Sequence, residues 1–249
     1  MCGICGCGQT EQKHSHHHNH DHSHSHADNE RLIQVEQDLL SKNNGYAEQN
    51  RAYFKQHHIF TLNLVSSPGA GKTSLLVETI KALKESFPIA VIEGDQQTEH
   101  DADRIRTTGI PALQINTGRA CHLDAHSIGH AAMDLKLKPN SLLAIENVGN
   151  LVCPSSFDLG EAHKVVVLSV TEGDDKPIKY PDMFYAADLM ILNKIDLLPY
   201  VDFDVERCIN YAKKVNPNIA IIQLSVTKGS NFIEWTKWLE HGVANRDSQ

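Results

Sequence analysis

Residues 66 to 73 read Ser66-Ser67-Pro68-Gly69-Ala70-Gly71-Lys72-Thr73, after the apolar run 59–65 and before the helix-forming stretch 74–84. In such a strand–loop–helix unit, glycines let backbone N–H groups face phosphate oxygens. The Lys72 ammonium reaches the β- and γ-phosphates, and the Thr73 hydroxyl holds Mg²⁺. Ser66 stands where the usual pattern has a glycine, and a glycine-rich turn without a ligand is the alternative interpretation. The loop predicts a nucleoside triphosphate site formed by Gly69, Ala70, Gly71, Lys72, Thr73 and Ser74.

A second motif indicates which base is bound. The segment 188–192, which has the composition of a buried strand after its first residue, runs into Asn193-Lys194-Ile195-Asp196. The Asp196 carboxylate can accept hydrogen bonds from the ring N–H and the exocyclic amine of guanine, whereas adenine offers neither donor and leaves the carboxylate unpaired. We expect Asn193 to connect the base-binding loop to the phosphate loop, and Lys194 to cover the plane of the base. GTP is therefore the predicted nucleotide. The loop predicted to close over guanine contributes Ser225 and Val226.

Composition limits the classes of function open to this chain. It has 249 residues, 41% of them apolar, and a formal net charge of −8. The acidic balance and the lack of a basic stripe argue against nucleic acid as a main partner. No apolar run approaches the ~20 residues that cross a bilayer, and the N-terminus lacks the basic and apolar regions of a signal peptide. We expect a cytoplasmic protein, without a membrane partner, whose cysteines are mostly reduced.

From Ile59 onward, apolar runs alternate with amphipathic stretches. This alternation predicts an α/β fold of the P-loop NTPase class, a mostly parallel sheet with helices on both faces and nucleotide at the carboxyl ends of the strands. The predicted strands are 59–65, 89–93, 112–116, 141–146, 164–170, 188–193 and 219–225. The predicted helices are 72–86, 98–108, 124–136, 202–215 and 230–243. The predicted regions are a disordered metal-binding tail (1–27), a polar, partly helical linker that is interrupted at Asn44-Gly45 (28–58) and a GTPase domain (59–245).

Carboxylates near the ends of two predicted strands are candidate Mg²⁺ ligands. Asp95 follows the second strand, with Asp101 further along as a second candidate, and Glu146 ends the fourth strand. Gly149 lies three residues further on and can bring its backbone N–H to a γ-phosphate. The alternative role for Asp95 is to cap a helix that begins near residue 97. Both loops are candidate switches that rearrange when the γ-phosphate is lost. The predicted Mg²⁺ ligands are Thr73, Asp95 and Glu146, and the predicted catalytic residues are Lys72, Asp95 and Glu146.

The first 27 residues are rich in metal-binding side chains. Cys2, Cys5 and Cys7 lie in a glycine-rich segment that can wrap around one ion, and thiolates with nitrogen donors favour Ni²⁺, Cu or Zn²⁺. Eight of the sixteen histidines follow, which predicts loose binding of several divalent ions and suits storage. The alternatives are incidental cysteines in a tail and a purification tag. The histidines are His14, His16, His17, His18, His20, His22, His24 and His26.

Two further cysteines lie in loops that lead away from predicted nucleotide-facing strands. Cys121 and His122 follow the third strand, and Cys153 follows the fourth. These side chains can form part of a Zn²⁺ or Ni²⁺ site, and a symmetric dimer can supply the remaining ligands. The alternative is that the two cysteines only pack, as buried cysteines usually do. Cys208 lies in an amphipathic stretch and is predicted to belong to the core.

The assembled motifs resemble those of the HypB family, the nickel-insertion GTPases of hydrogenase maturation. The resemblance covers nearly the whole chain except residues 28–58. It is carried by Cys2-x-x-Cys5-Gly6-Cys7, the 66–73 loop, Glu93-Gly94-Asp95, Asn116-Thr117-Gly118, Cys121-His122-Leu123-Asp124, the segment 146–154, the segment 169–173, Lys179-Tyr180-Pro181 and the segment 193–199.

The resemblance implies a homodimeric P-loop GTPase that helps to load nickel into the large-subunit precursor of [NiFe]-hydrogenase. It also implies a partner, the small zinc-containing nickel chaperone HypA. Some members lack the histidine tract or the terminal cysteines, whereas this chain has both, so storage by the tail is added to delivery. The implied metal sites are a tight nickel site at Cys2, Cys5 and Cys7, and a Ni²⁺ or Zn²⁺ site at the dimer interface formed by Cys121, His122 and Cys153.

The resulting hypothesis is that GTP binding sets the geometry of the inner metal ligands and that slow hydrolysis changes it, because Cys121 and Cys153 closely follow predicted switch strands. Hydrolysis is expected to be slow since no residue is evident that orients the attacking water. Two rivals stay open. One is a passive metal store with vestigial GTP binding, which the intact Lys72, Thr73 and Asp196 argue against. The other is a related GTPase that serves urease or a cobalamin enzyme.

Overall fold

The computed structural model describes residues 25–95 and 100–245. The chain divides into two compact units, residues 1–41 and residues 42–249. The strands in the described residues are β1 (Ile59–Ser66), β2 (Ile89–Asp95), β3 (Ala112–Asn116), β4 (Ser141–Gly149), β5 (His163–Ser169), β6 (Leu189–Asn193) and β7 (Ala220–Gln223). The helices there are α1 (Ser25–Gln56), α2 (Lys72–Leu83), α3 (His100–Arg106), α4 (Ala125–Asp134), α5 (Lys176–Lys179), α6 (Pro181–Ala186), α7 (Val205–Val215) and α8 (Phe232–Ala244), with 3₁₀ turns at Cys153–Ser155 and Ile195–Tyr200.

The strands form one sheet in the order β3-β2-β4-β1-β5-β6-β7, and all neighbouring strands are parallel. Strand β1 lies near the middle and is buried along its whole length. Leu62 and Leu64 pack in the same cluster as Leu75 of α2 and Trp235 of α8, whereas Val65 belongs to a different cluster. Burial on both faces explains why β1 is an almost continuous apolar run. The predicted α/β fold with a parallel sheet is confirmed.

All five predicted helices are present, with small differences at their ends, but two central strands extend beyond their predicted ends. Strand β4 continues to Gly149, which still pairs with Ser66 of β1. Strand β2 continues to Asp95, in register with Asn116 of β3. Glu146 therefore lies inside a strand, and Asp95 is the last residue of one. The backbone positions of these two residues are therefore fixed by the pairing of the strands rather than by the conformation of a loop.

The interruption predicted at Asn44-Gly45 is wrong, because α1 runs without a break from Ser25 to Gln56. Its second part buries Asn43, Ala47, Asn50 and Phe54, which recur at helical spacing on one face. Packing of this face outweighs the ~1 kcal/mol that a glycine costs in a helix. Despite its 32 residues, α1 is too polar to cross a membrane, and no other helix in the described part of the chain is long and apolar enough to do so.

The two short helices α5 and α6 are absent from the sequence-based prediction. Both have a proline in the first turn, Pro177 and Pro181, where the missing N–H has no helical partner to lose. Helices of four and six residues are too short to show a repeat of apolar positions. The Lys179-Tyr180-Pro181 motif lies at the junction between them.

Asn50→Ala is expected to destabilise the protein by about 1–3 kcal/mol, since it removes two buried hydrogen bonds to backbone carbonyl oxygens. Asn50 Nδ2 donates to the carbonyl oxygens of Ala125 at 2.7 Å and of Leu159 at 3.0 Å. Urea denaturation measures the change. Gln49→Ala, at the exposed neighbouring position of α1, is the matched control and should change stability by less than ~0.5 kcal/mol. Equal effects of the two substitutions would contradict this role of Asn50.

Candidate functional site

The phosphate loop connects β1 to α2 and turns through two glycines in the left-handed conformation. Gly69 has a φ of 78° and Gly71 a φ of 103°, values that other residues rarely adopt. Lys72 is the first residue of α2, so the free N–H groups of the helix N-terminus lie at this loop. The loop forms one wall of a cleft of about 490 Å³. The cleft is lined by Pro68, Gly69, Gly71, Lys72, Thr73, Ser74, Glu93, Gly94, Asp95, Asp101, Arg104, Glu146, Asn147, Val148, Gly149 and Lys194.

Ser66, the departure from the usual loop pattern, is the hydrogen-bond partner of the loop lysine. Lys72 Nζ donates to Ser66 Oγ at 2.7 Å. Burial lowers the pKa of Lys72, and the negative charge of Glu146 opposes that change. A buried ammonium that lines a cleft gains more from a phosphate anion than an exposed one does, because charge-assisted hydrogen bonds are stronger away from water.

Two buried glutamates, Glu93 and Glu146, lie side by side on adjacent strands, and their Cα atoms are partners in the β2–β4 pairing. Thr73 Oγ1 donates to Glu146 Oε1 at 2.7 Å. In the described part of the chain, Glu146 Oε2 and Glu93 Oε2 have no hydrogen-bond partner although both are buried. Burial raises the pKa of Glu146 to about 7. Burial, and then the charge of Glu146, raises the pKa of Glu93 to about 8. These oxygens are buried acceptors that a cation would satisfy.

Glu93 was not among the candidate site residues drawn from the sequence, where it served only as part of a motif. The sequence does contain an indication of its role, because Glu93 directly follows the apolar run 89–92 and an acidic residue is rarely buried without a function. Asp95 and Asp101 both line the cleft, as their selection as metal candidates requires. Asp101 also accepts from Arg104 at 3.2 Å. The alternative that Asp95 caps a helix near residue 97 falls on 96–99, outside the described residues.

The segment 193–196, the predicted base motif, contacts the phosphate loop directly. Asn193 Nδ2 donates to the carbonyl oxygen of Ala70 at 2.9 Å, and Lys194 Nζ donates to that of Gly69 at 2.7 Å. The connection that the sequence predicts between the two loops is therefore present. A methyl group at Gly71 would lie 2.6 Å from Asn193 Nδ2, so the close approach of the loops requires glycine there.

The loop after β7 closes the other side of the base motif. Ser225 Oγ donates to Asp196 Oδ1, and the N–H of Lys228 donates to Ser225 Oγ at 3.1 Å. The Val226 N–H lies 3.4 Å from Asn193 Oδ1. These contacts hold the Asp196 carboxylate in a fixed orientation while its second oxygen is left for other donors.

The predicted inner metal ligands come together in space. One ligand atom from each of Cys121, His122 and Cys153 lies within 4.8 Å of the others, and no other such group of three was found among the described residues. The two sulfurs are 2.6 Å apart, and Cys121 Sγ lies 3.7 Å from His122 Nδ1. We call these three residues the Cys–His cluster. The His122 ring packs on Phe157, with ring centroids 3.7 Å apart, and burial lowers the pKa of His122. A neutral imidazole is the form that binds metals.

A buried hydrogen-bond network of Asn63, Asn147, Glu161 and Lys164 starts beside the cleft, and we call it the Asn–Glu–Lys network. Asn147, next to Glu146 on β4, accepts from the Leu123 N–H at 3.2 Å and donates to Asn63 Oδ1 at 3.2 Å. Asn63 Nδ2 donates to Glu161 Oε1 at 3.0 Å, and the same oxygen lies 3.8 Å from Lys164 Nζ.

The Asn–Glu–Lys network ends at both loops of the Cys–His cluster. Leu123, its first contact, directly follows His122. Lys164 Nζ, at the other end, donates to the carbonyl oxygens of Pro154 at 3.1 Å and Phe157 at 3.2 Å, just after Cys153. One set of buried contacts thus joins the cleft strand β4 to the segments that carry the three side chains of the Cys–His cluster.

The remaining predicted metal ligands lie outside the part of the structure that can be described. Cys2, Cys5 and Cys7 and the histidines from His14 to His24 precede residue 25, and only the helical backbone is described for His26. Cys208 is fully buried in α7, as predicted, and burial raises the pKa of its thiol to about 12.

These features define the class of protein as a P-loop nucleotide-binding protein that also carries a Cys–His cluster. The family model described as "CobW/HypB/UreG, nucleotide-binding domain" matches residues 60–223. The match covers the sheet from β1 to the end of β7, including the phosphate loop, the base motif and the Cys–His cluster.

Individual relatives indicate which family within this class the chain belongs to. The chain is 62% identical over 216 residues to the hydrogenase maturation factor HypB of Azotobacter vinelandii, covering 87% of this chain and 71% of the relative. The crystal structure of HypB from Archaeoglobus fulgidus aligns with a TM-score of 0.77 at 40% identity, over 82% of this chain and 99% of that one. HypB from Helicobacter pylori in complex with nickel aligns with a TM-score of 0.76 at 40% identity, over 82% and 96%. The chain belongs to the HypB family of hydrogenase maturation factors.

Glu146→Gln is expected to stabilise the nucleotide-free protein, in EDTA at pH 8, by an amount on the order of 2 kcal/mol. Because the folded-state pKa is raised from 4.5 to about 7, deprotonation costs the folded state stability as pH rises through that interval. Glutamine removes the charge and still accepts from Thr73. Urea denaturation measures the gain, which should shrink toward pH 5. Glu78→Gln, on a side chain that is 43% exposed, is the control. A variant less stable than wild type at pH 8 would contradict the expectation.

Proposed function

We propose that this chain binds and hydrolyses GTP and carries Ni²⁺, which it delivers to the large-subunit precursor of [NiFe]-hydrogenase. The observation that carries the proposal is the Asn–Glu–Lys network, which joins the nucleotide-cleft strand to both loops of the Cys–His cluster. Membership of a hydrogenase maturation family supports the pathway, and the Helicobacter pylori relative, solved in complex with nickel, supports the metal.

The first feature of the cleft that suits GTP is its set of groups for binding phosphate. The phosphate-loop N–H groups and Lys72 would hold the phosphates, as in other proteins with this loop. The buried unpaired oxygen of Glu146 and the neighbouring Thr73 hydroxyl are hard donors that suit Mg²⁺, so this donor set fits the metal. Thr73, Asp95 and Glu146 would hold Mg²⁺, which offsets phosphate charge when bound. Glu93 supplies a further buried carboxylate on the same wall of the cleft.

The guanine preference rests on Asp196. Ser225 holds one of its carboxylate oxygens, and the other can accept from the N–H groups on the guanine edge. Lys194 and Asn193 connect this recognition to the phosphate loop, because they donate to the carbonyls of Gly69 and Ala70. A base that pairs with Asp196 is therefore positioned relative to the phosphates.

Asp196→Asn is expected to weaken GDP binding at least about 100-fold, since the site loses its acceptor for the guanine N–H groups. Xanthosine diphosphate, which carries a 2-oxo group in place of the 2-amino group, should bind the variant better than GDP does. Fluorescent-nucleotide titration measures both affinities. Asp202→Asn, at an exposed aspartate, is the control. The proposed role fails if Asp196→Asn keeps its GDP affinity, or if it loses both nucleotides equally.

The Cys–His cluster would hold nickel as cargo. Two thiolates and one neutral imidazole suit Ni²⁺ and Zn²⁺ alike, and three ligands leave a coordination position open. A closed site needs further ligands, which a second copy of the chain would supply by symmetry in the proposed homodimer. The three ligands of one copy alone would favour release to an acceptor, because fewer metal–ligand bonds must break.

Nucleotide and metal would affect one another through β4. A change at Glu146 in the cleft moves Asn147, the next residue, and Asn147 contacts the N–H that follows His122. By linkage, any change that GTP makes in nickel affinity equals the change that nickel makes in GTP affinity. Slow hydrolysis would then separate a loaded state from a releasing state.

The finer parts of the proposal concern the tail and the partners. Cys2, Cys5 and Cys7 would bind nickel tightly, and the histidine tract would store it loosely in the cytoplasm. HypA and the hydrogenase precursor are the proposed protein partners, which follow from family membership rather than from a surface feature of this chain.

The proposal is tested by titrating Ni²⁺ into the full-length protein without nucleotide, with GDP and with a non-hydrolysable GTP analogue. The variant with Cys121→Ala and Cys153→Ala keeps the tail and serves as the control, so the difference between the two proteins reports the Cys–His cluster. We expect that difference to depend on the nucleotide by several-fold. A cluster affinity that is the same in all three states would contradict GTP-controlled release and favour a passive metal store.

A further inference from the structure

Helix α4, which begins shortly after Cys121 and His122, carries two further histidines to which the sequence motifs assign no role. His126 and His130 are one turn apart, both are exposed, and their Nε2 atoms lie 3.2 Å from each other. The ring planes are nearly perpendicular, at 76°, with centroids 4.5 Å apart. We call these residues the α4 histidine pair.

The separation of the two nitrogens matches the spacing of adjacent ligands on one metal ion. With metal–nitrogen bonds of about 2.05 Å, two ligands are about 2.9 Å apart at a right angle and about 3.3 Å apart at the tetrahedral angle. The observed 3.2 Å lies between these values. Histidines at positions i and i+4 of a helix are a recurrent metal-binding arrangement because they share one face.

The helix that holds the pair is fixed by its neighbours. Asp124 caps α4 by accepting from the Ser127 N–H at 2.9 Å. The Ala125 N–H donates to Asn43 Oδ1 at 2.9 Å, and Asn50 donates to the Ala125 carbonyl, so α1 clamps the first turn of α4. The ring of Tyr46 packs edge-on against His126, with centroids 4.7 Å apart. A helix anchored in this way loses little freedom when its side chains bind an ion.

We propose that His126 and His130 form a surface site for a late first-row divalent ion, Ni²⁺, Cu²⁺ or Zn²⁺, distinct from the Cys–His cluster. Neutral imidazoles suit these ions and not Mg²⁺ or Ca²⁺. The pair supplies two ligands and is open to solvent, which leaves positions for water or for a donor from another molecule. Such a site exchanges its ion readily. The inference does not depend on the proposed function, because it rests on α4 alone.

The competing interpretation is a hydrogen bond between the two imidazoles. A hydrogen bond needs one proton between the two nitrogens, whereas a metal ion replaces that proton and engages both rings at once. The two interpretations therefore differ in what happens to one histidine when the other is removed in the presence of metal.

The test is histidine modification with diethyl pyrocarbonate in the full-length chain, read for each histidine by tandem mass spectrometry, with and without excess Ni²⁺. Reading each histidine separates His126 and His130 from His122 and from the histidine tract. At Ni²⁺ tenfold above the dissociation constant, we expect His126 and His130 to be modified about tenfold more slowly. His241, an exposed histidine on α8, is the internal control and should be unaffected.

The decisive arm uses His130→Gln and His126→Gln. In each variant the remaining α4 histidine should lose its Ni²⁺-dependent protection, because one imidazole alone is a weak ligand. The proposal is overturned if the remaining histidine stays fully protected, or if Ni²⁺ protects neither histidine in the wild-type chain. A loss of protection that is caused by unfolding is recognised from the modification rate of the partly buried His122, which should be unchanged without metal.

Discussion

The parallel pairing of β1 with β4 is the constraint on which the rest of the site depends. It places the strand that ends in the phosphate loop beside the strand that carries Glu146 and Asn147, with Ser66 still paired to Gly149. Glu146 thereby accepts from Thr73 in the cleft, while Asn147 accepts from the N–H of Leu123, the residue after His122. These two side chains are consecutive in one strand, and the pleat of the strand sends them to opposite faces.

The buried polar groups on the two faces of β4 differ in whether they have hydrogen-bond partners. In the Asn–Glu–Lys network the two amides and the carboxylate hydrogen-bond to one another and Lys164 donates to backbone carbonyl oxygens, which gives a rigid arrangement. In the cleft, Glu93 and Glu146 retain buried oxygens without partners in the described part of the chain. Such groups destabilise the empty protein, and they suit a site that gains free energy when phosphate and cation bind.

Much of the fold could be predicted from the sequence because its signals are local. Apolar runs bounded by turns predict the strands, and the spacing of the glycines predicts the phosphate loop. The continuity of α1 could not be predicted, since Gly45 reads as a helix end and the buried face includes two asparagines. The Asn–Glu–Lys network joins residues far apart in the chain, such as Asn63 and Glu161, so no local pattern reveals it. The α4 histidine pair was not predicted, although its two histidines are four residues apart in a predicted helix.

The account depends most on coupling between the cleft and the Cys–His cluster through Asn147. The direct measurement is the affinity for a non-hydrolysable GTP analogue with and without Ni²⁺, in wild type and in Asn147→Ala. The same measurement in proteins that also carry Cys121→Ala and Cys153→Ala gives the effect of Ni²⁺ bound to the tail, which is subtracted. Asn150→Ala, which removes a hydrogen bond to the Cys121 carbonyl but lies outside the network, is the control. The account predicts that Ni²⁺ changes nucleotide affinity on the order of tenfold in wild type and Asn150→Ala, and not in Asn147→Ala. Coupling of full strength in Asn147→Ala would contradict it.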